Sequence, residues 1–305
     1  MKKAIQPFAL SFFTMIVGVS VHASQPLFVI TPVGSSTVTV PSNFTATVSY
    51  TVRNNSKLTR TLTIVPFSGI TQTTTGTGVC QNPFTLAPNE SCILNLTING
   101  ATMATQPSNI NYGPVICKIE GNGNNNPDPF LCEQPSSNNE LNIIVSNPLE
   151  IGQSYQGGVV ACLTSAGDDF NLIAATNNNS EGIQWSDPGT SVPAAQSNDD
   201  GQTNTTAIVV ATSGQIENAS NVCNNFTSDG YSDWYLPAVN QLSCLYDNQA
   251  AIGGFDPSNA LFWSSTENTT VSDTAKTIRF TNGAQSFDSK GNGDVVRCVR
   301  NISNT

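Results

Sequence analysis

The sequence predicts two folds in series, an all-β sandwich of immunoglobulin-like type over residues 24–147 and a compact α+β domain over residues 149–305. Three observations lead there. Apolar and polar residues alternate with period two through the first half, where no stretch has helical spacing. Strand-like runs mix with two helically spaced stretches in the second half. Between them, Ser146-Asn147-Pro148 is a natural boundary, because Pro148 cannot continue a ladder.

The chain opens with Lys2 and Lys3, an apolar run from Ala4 to Val21, and Val21-His22-Ala23, the small-residue pattern of a signal-peptidase site. Residues 1–23 are therefore expected to be a signal peptide. The residue after the expected cut, Ser24, is not a cysteine, so no lipid anchor is expected there. No later apolar run approaches the length of a membrane span.

In the first half, Phe44, Ala46, Val48, Tyr50 and Val52 alternate with Thr45, Thr47, Ser49 and Thr51, which gives one buried and one wet face. Leu62 and Ile64 repeat the pattern before Pro66. Cys92, Leu94, Leu96 and Ile98 repeat it before Asn99-Gly100. Short β-branched strands separated by turn residues argue for an antiparallel sandwich.

In the second half, Gly157 to Leu163 and Asn171 to Ala175 read as strands, and Gly182-Ile183-Gln184-Trp185 as a third extended piece. Ile216, Ala219, Cys223 and Phe226 fall on one face of a helix that Ser213 or Gly214 would begin. Trp234-Tyr235-Leu236, stopped by Pro237, feeds a second helix carrying Val239, Leu242, Leu245 and Tyr246. Ile278 and Phe280, then Val295 to Arg300, supply closing strands. No Gly-X-Y tract or heptad seam is present, which excludes a collagen stalk and a coiled coil.

Composition narrows the chemistry. The only histidine, His22, leaves with the expected signal peptide, so mechanisms that need imidazole are closed to the processed chain. Losing Lys2 and Lys3 takes the formal charge from -10 to -12. Residues 149–305 hold sixteen acidic and five basic groups, so nucleic acid and anionic membranes are poor partners. All eight cysteines, Cys80, Cys92, Cys117, Cys132, Cys162, Cys223, Cys244 and Cys298, lie beyond residue 23. An even count behind a signal peptide reads as a disulfide framework, and no C-x-x-C pair suggests a metal site. Cys80 with Cys92 and Cys117 with Cys132 bracket short loops, each closure contributing about 3 kcal/mol.

Seven blocks in order carry a family resemblance. They are Gly157-Gly158-Val159-Val160, Leu172-Ile173-Ala174, Gln184-Trp185, Gly230-Tyr231-Ser232-Asp233-Trp234-Tyr235-Leu236-Pro237, Gln241-Leu242, Phe262-Trp263-Ser264-Ser265-Thr266-Glu267 and Val296-Arg297-Cys298-Val299-Arg300. Together they resemble the C-terminal domain family of the Legionella collagen-like protein over about residues 150–301. The resemblance implies a C-type-lectin-like fold for residues 149–305. It also implies a surface adhesin, whose namesake domain forms a homotrimer and binds sulfated glycosaminoglycans. The first half is similar to the immunoglobulin-like modules that precede such domains in bacterial surface proteins. Analogy with lectins implies Cys223 to Cys298, leaving Cys162 to Cys244, while a bridge from Cys162 to Cys298 stays open.

Five basic residues, Lys276, Arg279, Lys290, Arg297 and Arg300, crowd the last thirty positions, and residues 149–275 contain none. They are the candidate binding residues, as a basic patch on an acidic body or as partners of its carboxylates. Alternation sets Arg297 opposite Arg300. Asp288, Asn292 and Asp294, spaced by Gly291 and Gly293, are the candidate oxygen ligands for calcium, although neither an EF-hand spacing nor the lectin Glu-Pro-Asn motif is present. No other cofactor is expected. Trp185, Trp234 and Trp263 are either core or a sugar-stacking platform.

The expected function is that of a non-enzymatic, adhesin-like protein, secreted or on the outer cell surface, whose lectin-like domain binds a host or matrix glycan or a protein receptor. The alternatives are a structural module of the cell envelope and an extracellular hydrolase built on paired carboxylates.

Overall fold

The computed structural model describes residues 26–106, 110–111, 113–119, 126–213, 217–255 and 260–302. The expected signal peptide lies outside the described residues. The first half contains β1 (Phe28–Pro32), β2 (Thr37–Pro41), β3 (Thr45–Asn54), β4 (Arg60–Ile64), β5 (Ile70–Thr73), β6 (Phe84–Leu86), β7 (Ser91–Asn99), one-turn α1 (Gly100–Met103), β8 (Ile110–Asn111), β9 (Ile116–Ile119), β10 (Pro127–Glu133) and β11 (Asn142–Ser146). They form three sheets, ordered β1-β3-β7-β5, β10-β9-β4-β6 and β2-β11-β8.

The period-two pattern sets the longest ladder. In β3 the residues Ala46, Val48, Tyr50 and Val52 face Ile98, Leu96, Leu94 and Cys92 of β7. These inward residues share one core with Leu62 of β4, Phe84 and Leu86 of β6 and Ile116 of β9. One pairing departs from the antiparallel expectation, since β2 runs parallel to β11. Tyr50 sits fully inside, its hydroxyl donating to the Asn139 carbonyl at 3.1 Å, and burial pushes its pKa up to about 12.

The second half contains β12 (Ser154–Tyr155), β13 (Gly158–Cys162), β14 (Leu172–Ala174), β15 (Ser180–Ile183), α2 (Gly201–Ala211), α3 (Ala219–Asn224), α4 (Val239–Asp247), α5 (Gln249–Ile252), β16 (Leu261–Glu267), β17 (Thr274–Arg279), β18 (Ala284–Ser289), β19 (Asp294–Val296) and β20 (Val299–Asn301). Two sheets result, β12-β13-β14-β20 and β15-β19-β16-β17-β18, and neither takes a strand from the first half. The α+β reading holds, but the element count expected from sequence was too low.

α2 escapes hydrophobic patterning because its inward residues are Gly201, Asn204, Thr205 and Ile208, a helical face with polar groups where apolar ones are expected. Those groups are satisfied. Asn204 donates to the Ser197 carbonyl at 2.7 Å, and Thr205 Oγ1 accepts from the Leu236 amide at 3.0 Å. A Cβ at Gly201 would meet Leu236 O at 2.6 Å, so the helix start requires glycine. α3 begins later than expected because Asn218 caps it, accepting from the Asn221 amide at 3.0 Å. Residues 214–216 of the expected start lie outside the described residues.

The Trp-Tyr-Leu-Pro stretch is core. Trp185, Trp234 and Trp263 are all buried, which removes them as a stacking platform. Tyr235 exchanges backbone bonds with Val299 at 2.8 and 2.9 Å, and α4 starts directly after Pro237 and Ala238. Gln241 Oε1 accepts from the amides of Ala238 and Gly201, tying the starts of α4 and α2 together. The disulfides are Cys80–Cys92, Cys117–Cys132, Cys162–Cys244 and Cys223–Cys298. The lectin-like pairing is thus the one formed, and the alternative from Cys162 to Cys298 is excluded.

Candidate functional site

The expected basic patch is corrected by burial. Lys290, Arg297 and Arg300 are at most 1% exposed, so they cannot line a surface. The two that reach solvent, Lys276 and Arg279, both lie on β17 three positions apart, so alternation sends them to opposite faces. Lys276 Nζ donates to Asn198 Oδ1 at 2.9 Å.

Each buried cation holds a loop. Lys290 Nζ lies 2.5 Å from Glu267 Oε1, donates to the Thr190 carbonyl at 2.7 Å and sits 4.3 Å from the centre of the Trp185 ring. Glu267 also accepts from the Val192 amide and from Gln196, so this pair anchors the 190–196 segment against β16. Burial lowers the Lys290 pKa, and hydrogen bonding to Glu267 works against that shift. Arg297 serves backbone carbonyls, donating to Ala175 at 2.6 Å and Gly254 at 2.6 Å, with its Nε on Asn178 and its plane over Phe255. Burial brings its pKa down to about 10, partly opposed by Glu181.

Arg300 organises the one polar group of this set that opens to solvent. It forms a two-pronged pair with Asp233, at 2.7 and 2.9 Å, and donates to Gln156 Oε1 at 2.9 Å. Its guanidinium stacks 4.0 Å from the centre of the Tyr231 ring. Gln156 and Gly157 are the two central residues of the β12–β13 hairpin and both have positive φ, +44° and +83°, as a type I′ turn requires. A Cβ at Gly157 would meet Ser228 O at 2.6 Å, so glycine lets the hairpin rest on the turn that carries Tyr231. Tyr155, beside them, has its pKa raised by burial and by Tyr231, and lowered by Arg300.

Tyr155, Gln156 and Tyr231 form one wall of a cleft of about 520 Å³ between the two halves of the chain. The opposite wall is the outer side of β2 and β3, with Thr37, Thr39, Thr47 and Ser49 at its surface. Asn43 bridges the halves, donating to Leu149 O at 3.1 Å and accepting from Leu149 N at 2.9 Å. Phe44 packs beside Leu149, Val160 and Leu163. In the sequence, Tyr231 and Asp233 belong to the Gly230–Pro237 fold signature and carry no separate mark of a site. The Gln-Gly-Gly sequence at 156–158 was the available signal for the turn.

The calcium candidates do not fit that ion. Asn292 turns its NH₂ to Asp288 Oδ1, donating at 2.7 Å, while the Ser289 amide donates to the same oxygen at 2.8 Å. Asp294 is buried and its Oδ2 has no hydrogen-bond partner. Burial, Asp288 and a hydrogen bond to Asp288 raise its pKa to about 7, with Arg279 opposing. One buried carboxyl, one carboxylate oxygen already accepting from two donors and an amide presenting its NH₂ do not make the set of six to eight oxygens calcium takes. A group at Cys162, Asp168 and Cys244 is not a metal site either, since both sulfurs are in a disulfide. No described helix is long and apolar enough to cross a membrane.

No curated protein matches the chain. Among solved structures, the chain is similar to a protein of unknown function from Porphyromonas gingivalis W83, at 11% identity and a TM-score of 0.28, over 42% of this chain and 52% of that one. It thus spans about half the length of that structure, and the score is too low to argue from. The model of the Lcl C-terminal domain matches residues 174–300. That match runs from β14 into β20, and the matched family is a bacterial surface-associated domain.

Proposed function

We propose that this protein is an adhesin-like binding protein, secreted or displayed on the bacterial surface, that recognises a glycan or protein receptor through its lectin-like C-terminal domain. In this reading the N-terminal immunoglobulin-like sandwich is a spacer and a second wall for the site. The observation that carries it is the Tyr231, Arg300 and Asp233 group. It lies within the stretch that matches a surface-associated family and in the half crosslinked by two disulfides, and its Tyr231 lines a cleft. Four disulfides suit an oxidising compartment, in keeping with an extracellular or surface location. The test is binding of the full chain to immobilised host glycans and matrix proteins. Saturable binding is expected, and silence on both panels would favour a structural envelope module.

A carboxylate hydrolase is the second reading, and one observation favours it. Asp294 beside Asp288 is a carboxyl kept protonated to about pH 7, the property a general acid needs. Turnover of a glycoside substrate lost in Asp294→Asn would support it, whereas no turnover by the wild type would remove it.

A further inference from the structure

We propose that the cleft between the β12–β13 hairpin and the outer side of β2 and β3 binds an uncharged carbohydrate, with the Tyr231 ring as its stacking face. The inference rests on the receptor-binding reading and names its site and ligand class. Size is the first argument. About 520 Å³ lies within the range of small-ligand sites, about 300–1,000 Å³.

Chemistry of the walls is the second argument. On one side, the period-two pattern that sends Val38, Val40 and Val48 into the core leaves Thr37, Thr39, Thr47 and Ser49 outward, a row of hydroxyls on adjoining strands. On the other side stand two tyrosines, each a flat apolar ring with a hydroxyl, and the Gln156 amide. Sugar rings have one face of C–H groups and a rim of hydroxyls, which matches an aromatic face opposite hydroxyl donors and acceptors.

Charge decides between neutral and anionic sugars. The nearest cation, Arg300, is 1% exposed and committed to both oxygens of Asp233, and the Asp233 side chain is 46% exposed. No charged side chain lines the cleft, so a sulfate or carboxylate entering it would lose hydration without gaining a cation. A neutral ligand meets no such penalty. Rigidity is the third argument: the type I′ turn, the Gly157 approach to Ser228 and the Arg300 pair fix Tyr231 before any ligand arrives, which lowers the ordering cost of binding.

The experiment uses the full chain on an array of neutral, sialylated and sulfated glycans, with three variants. Wild type is expected to bind neutral oligosaccharides, with affinity unchanged between about 50 and 500 mM salt. Tyr231→Ala, which removes the ring, and Thr39→Trp, which fills the cleft from a solvent-facing strand position, should each weaken binding about tenfold or more. Tyr231→Phe should keep it, which separates loss of the ring from loss of the fold. Neutral-glycan binding that survives both Tyr231→Ala and Thr39→Trp would overturn the cleft while leaving the receptor reading standing. Binding confined to acidic glycans and abolished by salt would overturn the neutral-ligand inference. Binding to protein receptors without any glycan would overturn it as well, and no binding of either kind would overturn both readings.

Discussion

Replacing Asp294 by Asn should stabilise the C-terminal half at neutral and alkaline pH and change little in acid. Its carboxyl is buried, has one oxygen without a partner and lies against Asp288, so the folded state favours the protonated form. The folded pKa of about 7 stands above the ordinary 3.8. Between those values the folded chain holds a proton that the unfolded chain has released. Stability from this group is therefore complete below about pH 4 and falls as pH rises through 7. At about 1.4 kcal/mol per pH unit, the full loss is on the order of 4 kcal/mol. Asn is isosteric, keeps a donor for Asp288 and cannot ionise, so the variant lacks this loss. Denaturant titrations of both proteins at about pH 4.5, 6, 7 and 8.5, which span the window, give the difference directly. The variant should gain progressively with pH, reaching several kcal/mol at the top. A difference that does not vary with pH, or a variant less stable throughout, would refute the argument.

Two further predictions concern the buried cations. Lys290→Met leaves Glu267 charged and buried without its cation, and should cost about 3–5 kcal/mol in the same titrations. Adding Glu267→Gln should restore much of that loss, so a double-mutant cycle with no coupling would contradict the pairing. Arg297→Lys keeps the charge but cannot reach Ala175, Asn178 and Gly254 together; a loss of about 1–3 kcal/mol is expected, with faster hydrogen exchange in residues 175–178 and 253–255.

What could be read from sequence was what local physics dictates. The ladder of β3 with β7 was visible because one face of each strand is buried and the other wet, so composition alternates. Helix α4 was visible for the corresponding reason at its own period. Helix α2 was not, because Asn204 and Thr205 occupy core positions and find hydrogen bonds in segments distant along the chain. The basic residues failed in a related way. Their sequence neighbourhood is apolar and acidic, but what buries them is a carboxylate 23 positions away for Lys290, and carbonyls 122 and 43 positions away for Arg297. The cleft has no local signature at all, since its walls come from residues 33–49, 155–156 and 231 and meet only once both halves have folded.

The two disulfides of the C-terminal half also set how far that half can be stretched. Cys162–Cys244 and Cys223–Cys298 interlock along the chain, because Cys223 lies inside the loop closed by the first bridge. A pull applied at residues 149 and 302 would be carried from Cys162 to Cys244, back along the chain to Cys223, and across to Cys298. Only about 38 of roughly 153 residues lie on that taut path, so full extension is limited to about 130 Å, where an uncrosslinked chain would reach about 500 Å. Under flow or traction, such a domain would yield only over a short distance before covalent bonds take the load.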